Sequence, residues 1–139
     1  MIHLQWLMPN ESKEKAYQLR KEVFVEEQGF VDEFDHIDHT CEHLLLREDD
    51  TPVATARLYA HEGVYHVGRV CVAKSYRKKN LGKEVMEAVE SRAKEQGAAE
   101  LVLGSQLQAQ AFYENCGYKA EGSIFYEQDC PHVIMKKRL

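Results

Sequence analysis

Arg77, Lys78, Lys79 and Lys83 crowd four cations around Asn80 and Gly82, where the apolar pattern of the chain changes period. Val70 and Val72, on the near side, are β-branched and suit a strand. Leu81, Val85, Met86, Val89 and Ala93, on the far side, recur at helical spacing. A strand therefore passes through a basic turn into the first turn of a helix. Unpaired N–H groups and the helix dipole favour an anion at such a terminus. Asn80 tolerates a left-handed backbone, and Gly82 lets the backbone come close to a bound group. The chemistry indicated is phosphate binding, with a solvated basic turn as the plainer alternative. Neither G-x-x-x-x-G-K-S/T nor G-x-G-x-x-G occurs, so the two common nucleotide loops are set aside.

A second concentration of reactive groups lies between Phe30 and Glu42, with Asp32, Glu33, Asp35, His36, Asp38, His39, Cys41 and Glu42 and little apolar periodicity. Three readings compete: an acidic loop facing water, a loop presenting carboxylates or imidazoles to a substrate, and a metal site from His36, His39, Cys41 and His43. The last spacing fits no standard zinc pattern, and no metal is expected.

The elements that carry these groups follow from the pattern. Ile2, Leu4 and Trp6 suggest a first strand ending before Pro9. Asn10 or Ser12 could cap a helix with Ala16, Leu19, Val23 and Phe24 on its apolar side, running to about Gln28 and stopped by Gly29. Strands over 43–47, 53–61 and 64–73, joined by short turns, suggest an antiparallel meander. A helix from about Asn80 to Gln96 ends at Gly97. The apolar Leu101-Val102-Leu103 strand after it implies a parallel pair with the Val70 strand, linked by that crossover helix. A short helix over 108–115 and strands over 118–126 and 132–136 complete an α+β, mixed-sheet order, β-α-β-β-β-α-β-α-β-β.

With 139 residues, 44% apolar and 29% charged, the chain reads as one domain with a single core, spanning 1–139. A net charge of −5 argues against nucleic acid as the main partner. No apolar run approaches a membrane span and no signal pattern opens the chain, so a cytoplasmic location is the expectation. Cys41, Cys71, Cys116 and Cys130 are widely spaced and read as reduced thiols.

Two segments, in this order and at this separation, resemble the GNAT family of acetyl-CoA-dependent N-acetyltransferases. Arg77-Lys78-Lys79-Asn80-Leu81-Gly82 is similar to its R/Q-x-x-G-x-G/A pyrophosphate loop. Ala109-Gln110-Ala111-Phe112-Tyr113-Glu114-Asn115-Cys116-Gly117-Tyr118 is similar to its A-x-x-F/L-Y-x-x-x-G-F/Y segment. Arg20 to Gln28, then Glu33, Asp35, Asp38, His43 and Pro131-His132, extend a narrower likeness to small bacterial members of the ElaA and YjcF type. Asn80 stands where the family has its first loop glycine, and Gln106 where many members carry Asn.

The resemblance implies the GNAT three-layer fold: a mostly antiparallel sheet with a splayed parallel strand pair and flanking helices. It implies acetyl-CoA as co-substrate, wedged between the Val70-Cys71-Val72 strand and the Leu101–Leu103 strand. Backbone groups of Val70 and Val72 would pair with the pantetheine arm, and an N–H in this run would polarise the thioester carbonyl. Amides from Lys78 through Lys79, Asn80, Leu81 and Gly82 to Lys83, helped by Arg77 and Lys83, would hold the pyrophosphate. Gln106 and Phe112 would line the channel. Tyr113, otherwise an ordinary core tyrosine, becomes the candidate acid for the leaving sulfur. Glu27, Asp35, His36, Asp38 and His43 are the candidate bases, with Glu27 and His43 foremost. Cys71 could accept acetyl covalently but reads as packing. The expected reaction is direct transfer from acetyl-CoA to a primary amine in a ternary complex. The acceptor is a small molecule, with a lean to cationic ones from the acidic loop; homodimers are common in such folds. The alternatives are a non-catalytic acyl-CoA-binding module and an acyltransferase acting on a protein amine.

Overall fold

The computed structural model describes residues 1–31 and 33–139; Asp32, counted above in the acidic loop, lies outside the described residues. Seven strands form one sheet in the order β1-β2-β3-β4-β5-β7-β6: β1 Ile2–Leu7, β2 Glu42–Glu48, β3 Thr51–His61, β4 Val64–Val72, β5 Glu100–Gln106, β6 Lys119–Glu127 and β7 Cys130–Arg138. Every neighbouring pair is antiparallel except β4 and β5. Helix α1 (Glu14–Arg20) follows β1, α2 (Leu81–Glu95) crosses from β4 to β5, and α3 (Gln110–Asn115) precedes β6. The element order read from the sequence holds throughout.

Period-two alternation assigns the two faces of the sheet. Leu44 and Leu46 of β2, with Ala54, Ala56 and Leu58 of β3, turn to α2 and pack with Val85, Met86, Val89 and Ala93. Leu45 turns the other way, onto Ala16 of α1. Thr55, Arg57 and Tyr59 of β3 share this α1 face, so one strand carries an apolar row and a polar row. Leu101 and Leu103 are buried on the α2 side and Val102 on the opposite side, as the wholly apolar run of β5 requires.

Two local expectations change. Neither Asn10 nor Ser12 caps α1; Lys13 takes the N-cap position, with no side-chain cap. The single regular helix expected to Gln28 is α-helical only to Arg20, and Lys21–Glu27 is π-helical. Widening to i→i+5 bonds, as in Gln28 N–H to the Val23 carbonyl, lets Val23 and Phe24 both turn inward with Leu19 against Cys71. Gly29 ends the segment at φ +80°.

Among the described residues no helix is long and apolar enough to cross a membrane. All four cysteines are free thiols.

Candidate active site

β4 and β5 pair only at Tyr65 with Leu101 and at His66 with Val102. Beyond that point β5 stays bonded to β7 through Gln106 opposite His132, while Cys71 and Val72 of β4 stay bonded to β3. The two parallel strands therefore fork. A bulge opens β4 at the fork: Thr55 faces Cys71 but Arg57 faces Gly68, with Arg69 at φ +52°. The fork opens into a cleft of about 750 Å³ on the α1 face, lined by Phe24, Gln28, Val70, Gln106, Tyr113 and His132 among others.

At the open end of the fork, β4 runs through a 3₁₀ turn (Lys74–Tyr76) into α2. Lys78 and Asn80 sit at φ +67° and +61°, so Asn80 takes the left-handed conformation that its place in the loop suggested. Its side chain does not cap α2, and the first turn's N–H groups have no intrahelical acceptor. A Cβ on Gly82 would come within 3.0 Å of the Phe112 ring. Phe112 therefore seats α3 against the start of α2 and stacks edge-on with Tyr113 at 5.0 Å.

The four cations of this loop are not equivalent. Arg77 gives two 2.7 Å hydrogen bonds to Glu27 and one of 3.0 Å to the Val72 carbonyl. Lys79 lies over the Tyr76 ring at 4.9 Å. Lys78 and Lys83 are exposed and have no ion-pair partner among the described residues. The Val72 carbonyl thus already accepts one hydrogen bond, and Val70 lines the cleft.

Tyr113 lines the cleft and is 9% exposed. Burial pushes its phenol well above the ordinary range, so it keeps its proton. Gln106 donates to Gln28 across the cleft mouth at 2.9 Å and accepts from Gln108. Glu27 and Gln28, consecutive at the end of the π-helical segment, thereby tie it to both arms of the fork. Cys71 is not among the residues lining the cleft but is packed beneath Leu19, Val23 and Phe24, and burial pushes its thiol far upward. A neutral, enclosed thiol suits the packing reading.

The two foremost base candidates are not brought to the cleft lining. Glu27 is held by Arg77, whose hydrogen bonds lower its carboxyl, which weakens it as a proton acceptor. His43 is fully buried, edge-on to Tyr17, and its Nε2 is 3.1 Å from the Asp38 carbonyl. A carbonyl only accepts, so Nε2 carries the proton; burial lowers the pKa, and the ring stays neutral.

The acidic loop folds inward rather than facing water. Arg20 (1% exposed) donates to Glu33 at 2.8 Å and to both oxygens of Asp38 at 2.7 and 3.0 Å. Arg57 bridges Asp35 and Asp38, and Arg69 bridges Glu33 and Asp35. Burial raises the Asp38 carboxyl, but Arg20, the Asp35 amide and Arg57 outweigh it and hold it at about 2. Asp35 also caps a 3₁₀ turn, His36–His39, in a capping box with Asp38. Asp38, Cys41 and His43 are close enough to share a metal. However, Asp38 is saturated by guanidinium groups and burial keeps the Cys41 thiol protonated, near 11. The His36, His39, Cys41 and His43 quartet, the least favoured of the three readings, is not brought together: His36 lies on the 3₁₀ turn lining a separate cavity, and His39 on the same turn is exposed.

Arg57, Arg69 and His132 belong to this cleft and were not singled out as site residues from the sequence. The signal for Arg57 was present, as a charge in the polar row of an otherwise apolar strand. Arg69 acquires its direction from the bulge, which the sequence does not mark.

A forked parallel pair, a helix N-terminus open at the fork and a tyrosine on the next helix thus lie together where β4 and β5 part. The acetyltransferase (GNAT) domain model matches residues 8–139, and the chain belongs to that family. A Bacillus subtilis (strain 168) protein, BSU40680, is 42% identical over 130 residues, covering 88% of this chain and 87% of its own. The structure of an acyl-CoA N-acyltransferase from Pseudomonas aeruginosa superposes with TM-score 0.88 at 29% identity, covering 99% of both chains. Escherichia coli ElaA gives TM-score 0.89 at 28% identity, covering 99% of this chain and all of its own.

Proposed function

We propose that this protein transfers the acetyl group of acetyl-CoA to a primary amine by direct attack within a ternary complex. The observation that carries the reading is the fork of β4 from β5, closed at His66 and Val102 and ending at the uncapped start of α2. Unpaired backbone groups on the β5 side of β4 suit a pantetheine arm, which would bond to them as a strand does. Lys78, Lys83 and the first amides of α2 suit a pyrophosphate.

Tyr113, protonated and largely buried, would donate to the sulfur as the C–S bond breaks. The chain would not carry acetyl on Cys71, whose thiol is neutral and faces α1. Carboxylates of the loop are matched by Arg20, Arg57 and Arg69, which weakens the lean toward a cationic acceptor. Glu127 is the cleft carboxylate without an arginine partner among the described residues.

Tyr113→Phe tests the reading with the best acceptor from a panel of small amines, polyamines, aminosugars and peptides. The expected result is a fall in kcat of about 100-fold with acetyl-CoA affinity retained. Unchanged kcat would remove Tyr113 from the chemistry, and absence of any acceptor across the panel would favour a coenzyme-sensing module.

A further inference from the structure

We infer that His132 is the general base that takes the proton from the incoming ammonium, an inference resting on the acetyl-transfer reading above. His132 is 7% exposed and lines the cleft, on β7 directly opposite Gln106 of β5. Its Nδ1 is 2.8 Å from the Cys130 carbonyl. That carbonyl can only accept, so Nδ1 carries the hydrogen and Nε2 presents its lone pair. The ring is stacked on Phe125 at 5.6 Å, and Phe125 in turn lies over Gly104, where even a Cβ would touch it at 3.4 Å. Orientation and tautomer are thus fixed by β6, β5 and the backbone of β7. Nε2 has no hydrogen-bond partner among the described residues and is not sealed from solvent.

Of the other titratable groups around the cleft, the two loop carboxylates are committed. Glu33 of the loop is held by Arg20 and Arg69, and Asp35 by Arg57 at 2.7 and 3.0 Å. His66 of β4 is stacked on Tyr59 at 5.0 Å, at the closed end of the fork, and burial lowers its pKa. Glu127 of β6 is exposed at the rim. His132 alone combines a buried position, a fixed tautomer and an uncommitted acceptor atom.

The proton balance closes. Nε2 takes one proton from R–NH3⁺, leaving an imidazolium and a neutral amine. The amine lone pair forms the C–N bond to the thioester carbonyl. The tetrahedral adduct then expels sulfur, which takes the Tyr113 proton, and the adduct nitrogen's second proton returns to Tyr113 through water. The imidazolium releases its proton to solvent. One acetyl-CoA and one ammonium give one amide, one CoA thiol and one proton.

His132→Asn keeps a donor for the Cys130 carbonyl and removes the base; His132→Gln is the second variant should Asn not fold. The measurement is kcat/KM against pH with the best acceptor, alongside acetyl-CoA affinity and a control at the exposed His3 of β1, His3→Asn. The expected result is a fall of about 100-fold with coenzyme affinity within twofold of wild type. The variant's profile then rises with slope one across neutral pH, since the amine must arrive deprotonated, whereas His3→Asn keeps the wild-type profile. Turnover by His132→Asn with the wild-type rate and profile overturns the base while leaving the transfer reading intact. Wild-type protein that binds no acetyl-CoA, or acetylates nothing, overturns both.

Discussion

Replacing Arg20 by Met tests whether the buried ion network holds the loop that walls the cleft. Methionine fills comparable space but leaves Glu33 and Asp38 without the four hydrogen bonds that Arg20 gives to their carboxylates and to the Glu33 carbonyl. Breaking a buried pair from one side costs about 3–5 kcal/mol. With an m-value of about 1–3 kcal/mol/M, the urea midpoint should fall by roughly 1–5 M. The pH dependence supplies the diagnostic. A carboxyl depressed in the folded protein stabilises fully above its unfolded value and loses that contribution as pH falls through its folded one. For Asp38 the drop from 3.8 to about 2 is worth about 2 kcal/mol, lost between about pH 4 and pH 2. Without Arg20, Asp38 and Glu33 both take up protons more readily, so the stability gap between wild type and variant narrows on acidification. Urea titrations at neutral pH and near pH 3 read this directly. A gap below about 1 kcal/mol, or one independent of pH, would refute the reasoning.

Glu27→Ala frees Arg77 for the coenzyme phosphates, so acetyl-CoA affinity measured by calorimetry should rise roughly two- to fivefold, the worth of a half-exposed pair; unchanged affinity would mean Arg77 takes no part. Gly82→Ala should leave thermal stability close to wild type, because a helix-propensity gain of about 1 kcal/mol offsets the push against Phe112. The same variant should weaken acetyl-CoA binding about tenfold by crowding the amide approach, and equal affinity would place the phosphates elsewhere.

The apolar periodicities were enough to order all ten principal elements and to place the basic loop at a helix start. Asn80 could be read as left-handed because few other residues accept that backbone. What the sequence hid was pairing. Glu27 and Arg77 lie far apart in the chain and meet because the π-helical segment, invisible to a 3.6-residue period, brings its end to the α2 loop. His43 looked like a reachable base at a strand start, yet its strand is flanked by β1 and β3 and the side chain is fully buried against Tyr17 of α1. The acidic loop looked solvated because its countercharges come from α1, β3 and β4. His132 belonged to a recognisable segment, but its tautomer depends on a carbonyl two residues away that only a structure orients.

Calorimetric titration with acetyl-CoA, and with CoA lacking the acetyl group, addresses the coenzyme site most directly. One-to-one micromolar binding, weakened at least about tenfold when Lys78 and Lys83 are both changed to Ala, is the result expected of a pyrophosphate at the start of α2. Absence of binding to either compound, or affinity indifferent to both lysines, would contradict it.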